Sequence, residues 1–509
     1  MNEKPKSKWS WRLLRWGLIG LAGLITLAAV VVTEENWRGK HEWSAYRRAA
    51  EARGEIIDLS WTIPPAVPDD QNFFAAPMVA AAFTTERQLQ TDPKSTTTDR
   101  LDMILYRGDS ARWPDKDGDW QLRSVIDLKP WQTYFREYNQ SAEGRTNGFP
   151  MAAQPQTPAA DVLLALSAFD PAIEALRQAS QRPSARLPMA YEKGLEDLTG
   201  LTPWLAVEKR WTRVMRLRTL AELQAGQSQP ALDDVKLSLR LADTLRDQPY
   251  LISHLVRVAL LAIGTQPIYE GLNQRVWNDT QLADLENTLA TENLLGDFQR
   301  AMRGERNCGV ASIESWRITR RAEFAALHVT TNSTSFWLVP SAFFYQNELA
   351  IAEKFDQFLL PLTDPTNHTI SLATYRAGEA AYREATNHFS PYKILAYETF
   401  PSLASCVSRF AFAQEGLDLA RLACALERYR LAHGGFPEHL DALAPGQVPA
   451  LPPDVINGRP LHYRRTDDGG YVLYSVGWNE SDDGGTVVVT KKGAIDRNQG
   501  DWVWQLPSK

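Results

Sequence analysis

The sequence predicts a mainly α protein with a small α+β module at its C-terminus and a single apolar helix at its N-terminus. Three observations carry that prediction. An uncharged run opens the chain, apolar residues recur at helical spacing from Pro158 to about Leu295, and two strand-like runs flank Asp467-Asp468-Gly469-Gly470.

The opening run is WGLIGLAGLITLAAVVVT, from Trp16 to Thr33. As a helix its eighteen residues rise roughly 27 Å, enough to cross the hydrocarbon core of a bilayer. A cleaved signal peptide shares the basic-then-apolar order, but this run is longer than a usual signal core. No small-x-small site precedes Glu34, so an uncleaved, single-pass anchor is expected. Lys4, Lys6, Lys8, Arg12 and Arg15 precede the run, while Arg38, Lys40, Arg47 and Arg48 follow it. Arg12 and Arg15 abut the apolar core, which favours an N-terminus in the cytoplasm. The bulk of the chain is then expected on the periplasmic or extracellular side of the inner (cytoplasmic) membrane.

The rest of the composition is that of a globular chain. A net charge of −6 and a pI near 5.9 exclude the basic footprint of a nucleic-acid binder. Cys308, Cys406 and Cys424 make no disulfide scaffold. Cys406 and Cys424 share one expected helix, about 27 Å apart, which no disulfide spans. A bridge from Cys308 to either remains open beside three free thiols.

Five regions follow in order: a cytoplasmic tail at 1–15, the anchor at 16–33, a membrane-proximal strap and mixed region at 34–155, a helical scaffold at 156–400, and the C-terminal module at 401–509. Trp37 to Gly54 reads as a short amphipathic helix stopping on Gly54. Trp61 to Pro77 carries four prolines and reads as an extended strap. Leu101 to Arg107 suits a strand, and Asp127 to Asn139 a helix with Pro130 near its start. In the scaffold, Arg213 to Gly226, Gln229 to Arg246, Leu251 to Gly264 and Trp277 to Ala290 read as helices joined by short turns, a loose likeness to tetratricopeptide hairpins without a clean repeat. Leu251 to Gly264 is apolar nearly all round and belongs at the centre, and Asp279 is a candidate helix cap. Thr330 to Pro340 reads as an exposed loop. Asn347 to Leu360 and Thr369 to Phe389 are helical again.

The last hundred residues say most. Ser408 to Gly435 reads as one long amphipathic helix stopped by Gly434-Gly435. Phe436 to Pro445 suggests a short second helix, Leu451 to Pro460 a turn-rich connector, and Leu461 to Gly477 a β-hairpin. The acidic run WNESDDGG (Trp478 to Gly485) and GDWVW (Gly500 to Trp504) complete the module.

In its ALERYRLAHGGFP, LPPD, NGRPLHYR and YVLYSVG segments, followed by the acidic loop, residues 408–504 resemble the periplasmic part of the type II secretion system major pseudopilin, protein G. That resemblance implies a small antiparallel sheet after a long helix, and a terminal loop that binds calcium. Carried across, it places Asn479, Asp482, Asp483 and Asp501 as candidate calcium ligands, with oxygens of the kind calcium takes. Two departures stand out. Glu480 replaces the expected glycine, and no pilin processing site precedes this helix, since Arg15-Trp16-Gly17-Leu18 is not one.

Other constellations are weaker. Asp115, Asp117 and Asp119 imitate the start of an EF-hand loop, but Trp120 and Ile126 stand where Gly and Glu are required. His433, His439 and His462 have no metal-binding motif around them. No nucleophile elbow, P-loop or dinucleotide fingerprint occurs in a strand-to-helix context. The expected function is therefore a membrane-anchored envelope protein of structural or interaction type, linked to secretion or assembly and contacting envelope proteins. An anchored periplasmic hydrolase with its site in the helical body is the alternative.

Overall fold

The computed structural model describes residues 8–91, 114, 118–141, 144–192, 194, 198–319, 339–386, 390–395 and 403–506. The strand expected at Leu101 to Arg107, most of the loop expected at Thr330 to Pro340, and Asp115 and Asp117 lie outside them. The fold is mainly α, with small antiparallel sheets toward the C-terminus and an apolar N-terminal helix. Its contacts group the chain into two compact units. One comprises 1–61, 306–357 and 379–401, the other 62–305, 358–378 and 402–509.

The first unit is built on helix α1, Lys8–Ala52, which runs unbroken through the expected anchor and the expected amphipathic helix. Nothing between Thr33 and Trp37 breaks a helix, since neither Gly nor Pro occurs there. Leu18, Leu24 and Ile25 on its first half are exposed on every side, and Trp11–Ala52 is long and apolar enough to cross a membrane. Its second half buries Trp43 and Ala50. There it packs against α11, Ser341–Lys354, with the Asn36 side chain accepting a hydrogen bond from Ala342 N at 2.7 Å.

The C-terminal end of α1 is pinned by charge. Arg306, fully buried, donates to Asp356 and, at 3.0 Å, to Glu55 just past the helix. Asp356 also accepts from Tyr46 at 2.7 Å. Asn307 Nδ2 caps the chain that leaves α1, donating to the carbonyls of Ile56 and Asp58.

The second unit holds α2 (Pro77–Thr91), α3 (Lys129–Gln140), α4 (Pro158–Leu166), α5 (Asp170–Ser180), α6 (Leu198–Gln224), α7 (Ser228–Asp243), α8 (Leu251–Gln274) and α9 (Asp279–Leu289). It also holds α10 (Leu294–Thr319) up to Glu305, α12 (Leu372–Thr386) up to Gly378, and α13 (Val407–His433). The strap is irregular apart from the end of a short helical turn at Leu59–Thr62 and one tight turn at Phe73–Ala75, which buries Phe73 and Phe74. α6, α7 and α8 pack on one another. α8 is also long and apolar enough to cross a membrane, but most of it is buried inside the unit, as in a core helix. α9 is capped by Asn278, not Asp279: Asn278 Oδ1 accepts from Gln281 N while the Gln281 side chain returns the bond, a reciprocal pair that Asp279, one residue inside, cannot make.

The C-terminal module is not a separate body beginning at 401. α13 packs against α8 and α9. Trp504 packs its ring on Trp120 and Tyr269, with centroids 4.9 and 5.4 Å away. α13 is not amphipathic either, since it buries Gln414, Glu415, Asp418 and Glu427 beside Phe410, Leu419 and Leu426. It stops at Gly434, whose φ of +77° suits a residue without a Cβ. The second helix expected at Phe436 to Pro445 is only a 3₁₀ turn, Leu440–Leu443, because Pro437 and Pro445 leave no room for a longer ladder. The hairpin forms as expected from β3 (His462–Arg465) and β4 (Tyr471–Ser475), paired Tyr463 to Leu473. β7 (Trp502–Leu506) adds to β4, pairing Leu473 with Trp504. Two short pairs, β1–β2 (Thr363–Asp364 with Thr369–Ile370) and β5–β6 (Val487–Val489 with Ile495–Gly500), complete the strands.

The interior of the second unit carries charge in matched sets. Arg257 of α8, fully buried, donates to Asp297 at 2.8 Å, to Asp243 at 3.0 Å and to Glu292. One guanidinium thus joins α7, α8, α10 and the turn after α9. Replacing it by alanine leaves three carboxylates facing each other, and breaking such a buried pair costs about 3–5 kcal/mol. Arg257→Ala should lower the urea midpoint of the second unit accordingly, and an unchanged midpoint would show that the network adds nothing.

Glu208 of α6 is the opposite case. It is fully buried, with Thr244 donating to Oε1 at 2.6 Å and Oε2 left without a partner. Burial pushes its carboxyl up to about 8, against the smaller pull of Thr244. The folded state therefore keeps a proton that the unfolded chain releases above its ordinary range near 4.5. The contribution is full below that range and is lost as pH rises toward 8. Glu208→Gln should flatten the decline of thermal stability between pH 5 and 8 by up to about 1.4 kcal/mol per pH unit. Parallel slopes in wild type and variant would refute a neutral Glu208.

Candidate functional site

Two places in the second unit concentrate chemistry. The terminal loop is the one expected from sequence. Asn479, Asp482, Asp483 and Asp501 are all brought to it, and each has a partner within the chain. Asn479 Nδ2 donates to Asp483 at 2.9 Å, and Asn479 Oδ1 accepts from Ser481 N. Asp482 accepts from Tyr474 and from Gly484 N, both at 3.0 Å. Asp501, 1% exposed, accepts three backbone N–H groups, from Asp483, Gly485 and Thr486. Among the described residues, no three His, Cys, Asp or Glu side chains are grouped as a metal ion would need. Glu480, standing where the resemblance expects glycine, adopts the left-handed φ of +59° that glycine would favour. Its carboxylate pairs with Arg376.

Asp501 is therefore the organiser of this loop. Asp501→Ala would leave three N–H groups without their acceptor, at about 1–3 kcal/mol for each group that stays buried. Its melting temperature should fall equally in calcium and in chelator. A loss seen only in calcium would instead make Asp501 a ligand.

The other place was not anticipated. A cleft of about 510 Å³ is lined by the end of α9 and the turn after it (Leu289 to Asn293), by His368, by Asp418 and Arg421 of α13, and by Pro449 to Pro453. His368 closes the β1–β2 turn. Asp364 shapes that turn by accepting from the backbone of Thr366 and Asn367, both at 3.0 Å. The turn holds His368 at a φ of +57°, a conformation histidine tolerates better than most residues. Its Nε2 lies 2.7 Å from Asp418 Oδ2, which also accepts from Gln414 at 3.2 Å. Burial disfavours the protonated ring, but the hydrogen bond and charge of Asp418 outweigh it and Arg421, so the imidazole titrates above its ordinary range.

Glu292 and Thr291 in the opposite wall are engaged. Arg257 and Arg246 bind the Glu292 carboxylate, and the Thr291 hydroxyl donates to Thr288 O at 2.8 Å. Arg421 is different. It makes no hydrogen bond or ion pair among the described residues, and its Nε is buried without a partner. Behind the cleft, Glu415 is fully buried and accepts from Val455 N at 3.0 Å. Burial first, then the charges of Asp454 and Asp418, push it well above the carboxylate range.

None of the three cysteines forms a disulfide among the described residues; Cys308 and Cys424 are buried and Cys406 is half-buried at the start of α13. No family model, curated protein or solved structure matches the chain.

Proposed function

We propose that this is a single-pass protein of the inner membrane, with its N-terminus in the cytoplasm and its folded mass in the envelope, acting by interaction and not by catalysis. The observation that carries this reading is α1: its apolar half is exposed on every side, while its other half is fixed into folded structure through Trp43, Ala50 and the Arg306 cluster. An apolar surface of that size is costly in water and stable in lipid. Arg12 and Arg15 beside the apolar core support the orientation. The long helix, glycine stop, hairpin and ordered acidic loop are the element order of the pseudopilin head, which supports a role in secretion or assembly.

The hydrolase alternative draws on the His368–Asp418 pair at the cleft. A histidine general base needs a nucleophile or a positioned water beside it. Thr291 is the one hydroxyl among the lining residues, and it already donates to Thr288. Binding is the better reading of the cleft.

The anchor and its direction are tested together in spheroplasts. The chain should stay in the membrane through alkaline carbonate extraction, with its first residues intact by mass spectrometry. Protease added outside should degrade the residues after α1 and leave a short N-terminal fragment. Release by carbonate would remove the anchor, and full protection would reverse the orientation.

A further inference from the structure

Arg421 stands out because every nearby acid is already taken. One turn before it on α13, Asp418 would be its natural partner at that helical spacing. Asp418 is instead held by His368 and Gln414. Glu286, whose charge Arg421 feels, is bound by Arg428 at 2.9 Å. Glu292 across the cleft is bound by Arg257 and Arg246. Arg428, two turns further along the same helix, shows the ordinary outcome: it pairs with both Asp279 and Glu286. Arg421 is left with its planar fork of donors in a cleft open to solvent, and its Nε already removed from water.

We propose that the cleft binds a small aliphatic monocarboxylate, with the Arg421 guanidinium gripping the carboxylate and Leu289, Ala450, Leu451 and Pro452 surrounding the apolar body. A guanidinium matches a carboxylate with two parallel hydrogen bonds. The charge of the site selects one negative charge over two: Arg421 is the one arginine among the lining residues, and Asp418 and Glu292 stand in its walls already matched by their own partners, so a phosphate dianion would have a single guanidinium to offset its two charges. The remaining wall is apolar, formed by a proline-flanked Ala-Leu segment and the end of α9. Such a carboxylate exists both as a free short-chain acid and as the C-terminus of a peptide ending in an aliphatic residue. The inference goes beyond the anchored-protein reading and does not depend on the direction of α1.

The test is isothermal titration of the full chain in non-ionic detergent with isovalerate, the tripeptide Gly-Gly-Leu, its C-terminal amide, and inorganic phosphate. Saturable binding of isovalerate or of the free tripeptide is expected, with the amide silent and phosphate weaker than the carboxylates. Binding of isovalerate alone identifies a free acid as the natural source, and preference for the tripeptide identifies a chain end. Arg421→Gln should weaken the bound carboxylate by at least about tenfold, and Arg421→Lys, which keeps charge without the fork, should fall between. Because Arg421 makes no hydrogen bond or ion pair among the described residues, the melting temperature of Arg421→Gln should match wild type. If that variant fails to fold, the wild-type comparisons, isovalerate against phosphate and free against amidated tripeptide, still decide. The proposal is overturned if the amide binds as well as the acid, if phosphate binds more tightly, if Arg421→Gln binds unchanged, or if no carboxylate binds up to about 10 mM.

Discussion

The burial of α13 is the constraint from which the second unit follows. A helix surrounded along most of its length cannot leave its polar side chains to water, and this one carries Gln414, Glu415, Asp418 and Glu427 into the interior. Each must find a partner, because an unpaired buried polar group costs as much as several good contacts return. Gln414 meets Leu294 N at the start of α10, Glu415 meets Val455 N in the connector, and Asp418 meets His368 in the β1–β2 turn. Glu427 is closed by Arg430 one turn on. Three segments distant in sequence are thereby drawn to one face of one helix. The cleft is the space between them.

α1 obeys a different constraint. A long helix whose first half is apolar and exposed needs a partner for its second half, or that half is a loose tether. Here the second half packs on α11, and its end is closed by a buried arginine shared between Glu55 and Asp356. Tyr46 of α1 and Arg53, just past its end, reach the same Asp356. The exposed apolar half of α1 is thus a continuous extension of the first unit, with no break in the helix between Thr33 and Trp37.

Much of this was legible from residue order. Exposed apolar length gave α1, Pro130 marked the start of α3, Gly434 marked the end of α13, and Asp467 to Gly470 marked the β3–β4 turn. Those signals are local, so they survive whatever packs around them. The cleft is not local. His368 sits in Asp-Pro-Thr-Asn-His, where Asp364 shapes the turn, and that Asx pattern was the one available hint that a histidine was being held in place. Nothing in the spacing of Asp418 and Arg421 distinguishes a solvated ion pair from an acid taken by two other partners beside an arginine that pairs with none of the described residues. The same gap explains the 401 boundary: a glycine-stopped helix followed by a hairpin looks self-contained until Trp120 and Tyr269 are seen against Trp504.

The two charged places in the second unit end in opposite conditions, and the difference bears on function. In the terminal loop the acids turn inward, and Asp501 answers three backbone donors at once, which fixes a loop that has few apolar residues to hold it. A chain that uses its charges this way gains order. In the cleft the reverse holds: His368 and Gln414 together occupy the acid that Arg421 would otherwise take, and a guanidinium stays half-buried without an anion. Such an arrangement gives up stability at one point while keeping it everywhere around, as Arg257, Arg306 and Arg428 show by their full complements of carboxylates. Sites that bind are built in this manner, since a donor already satisfied by its own protein has nothing to offer a ligand.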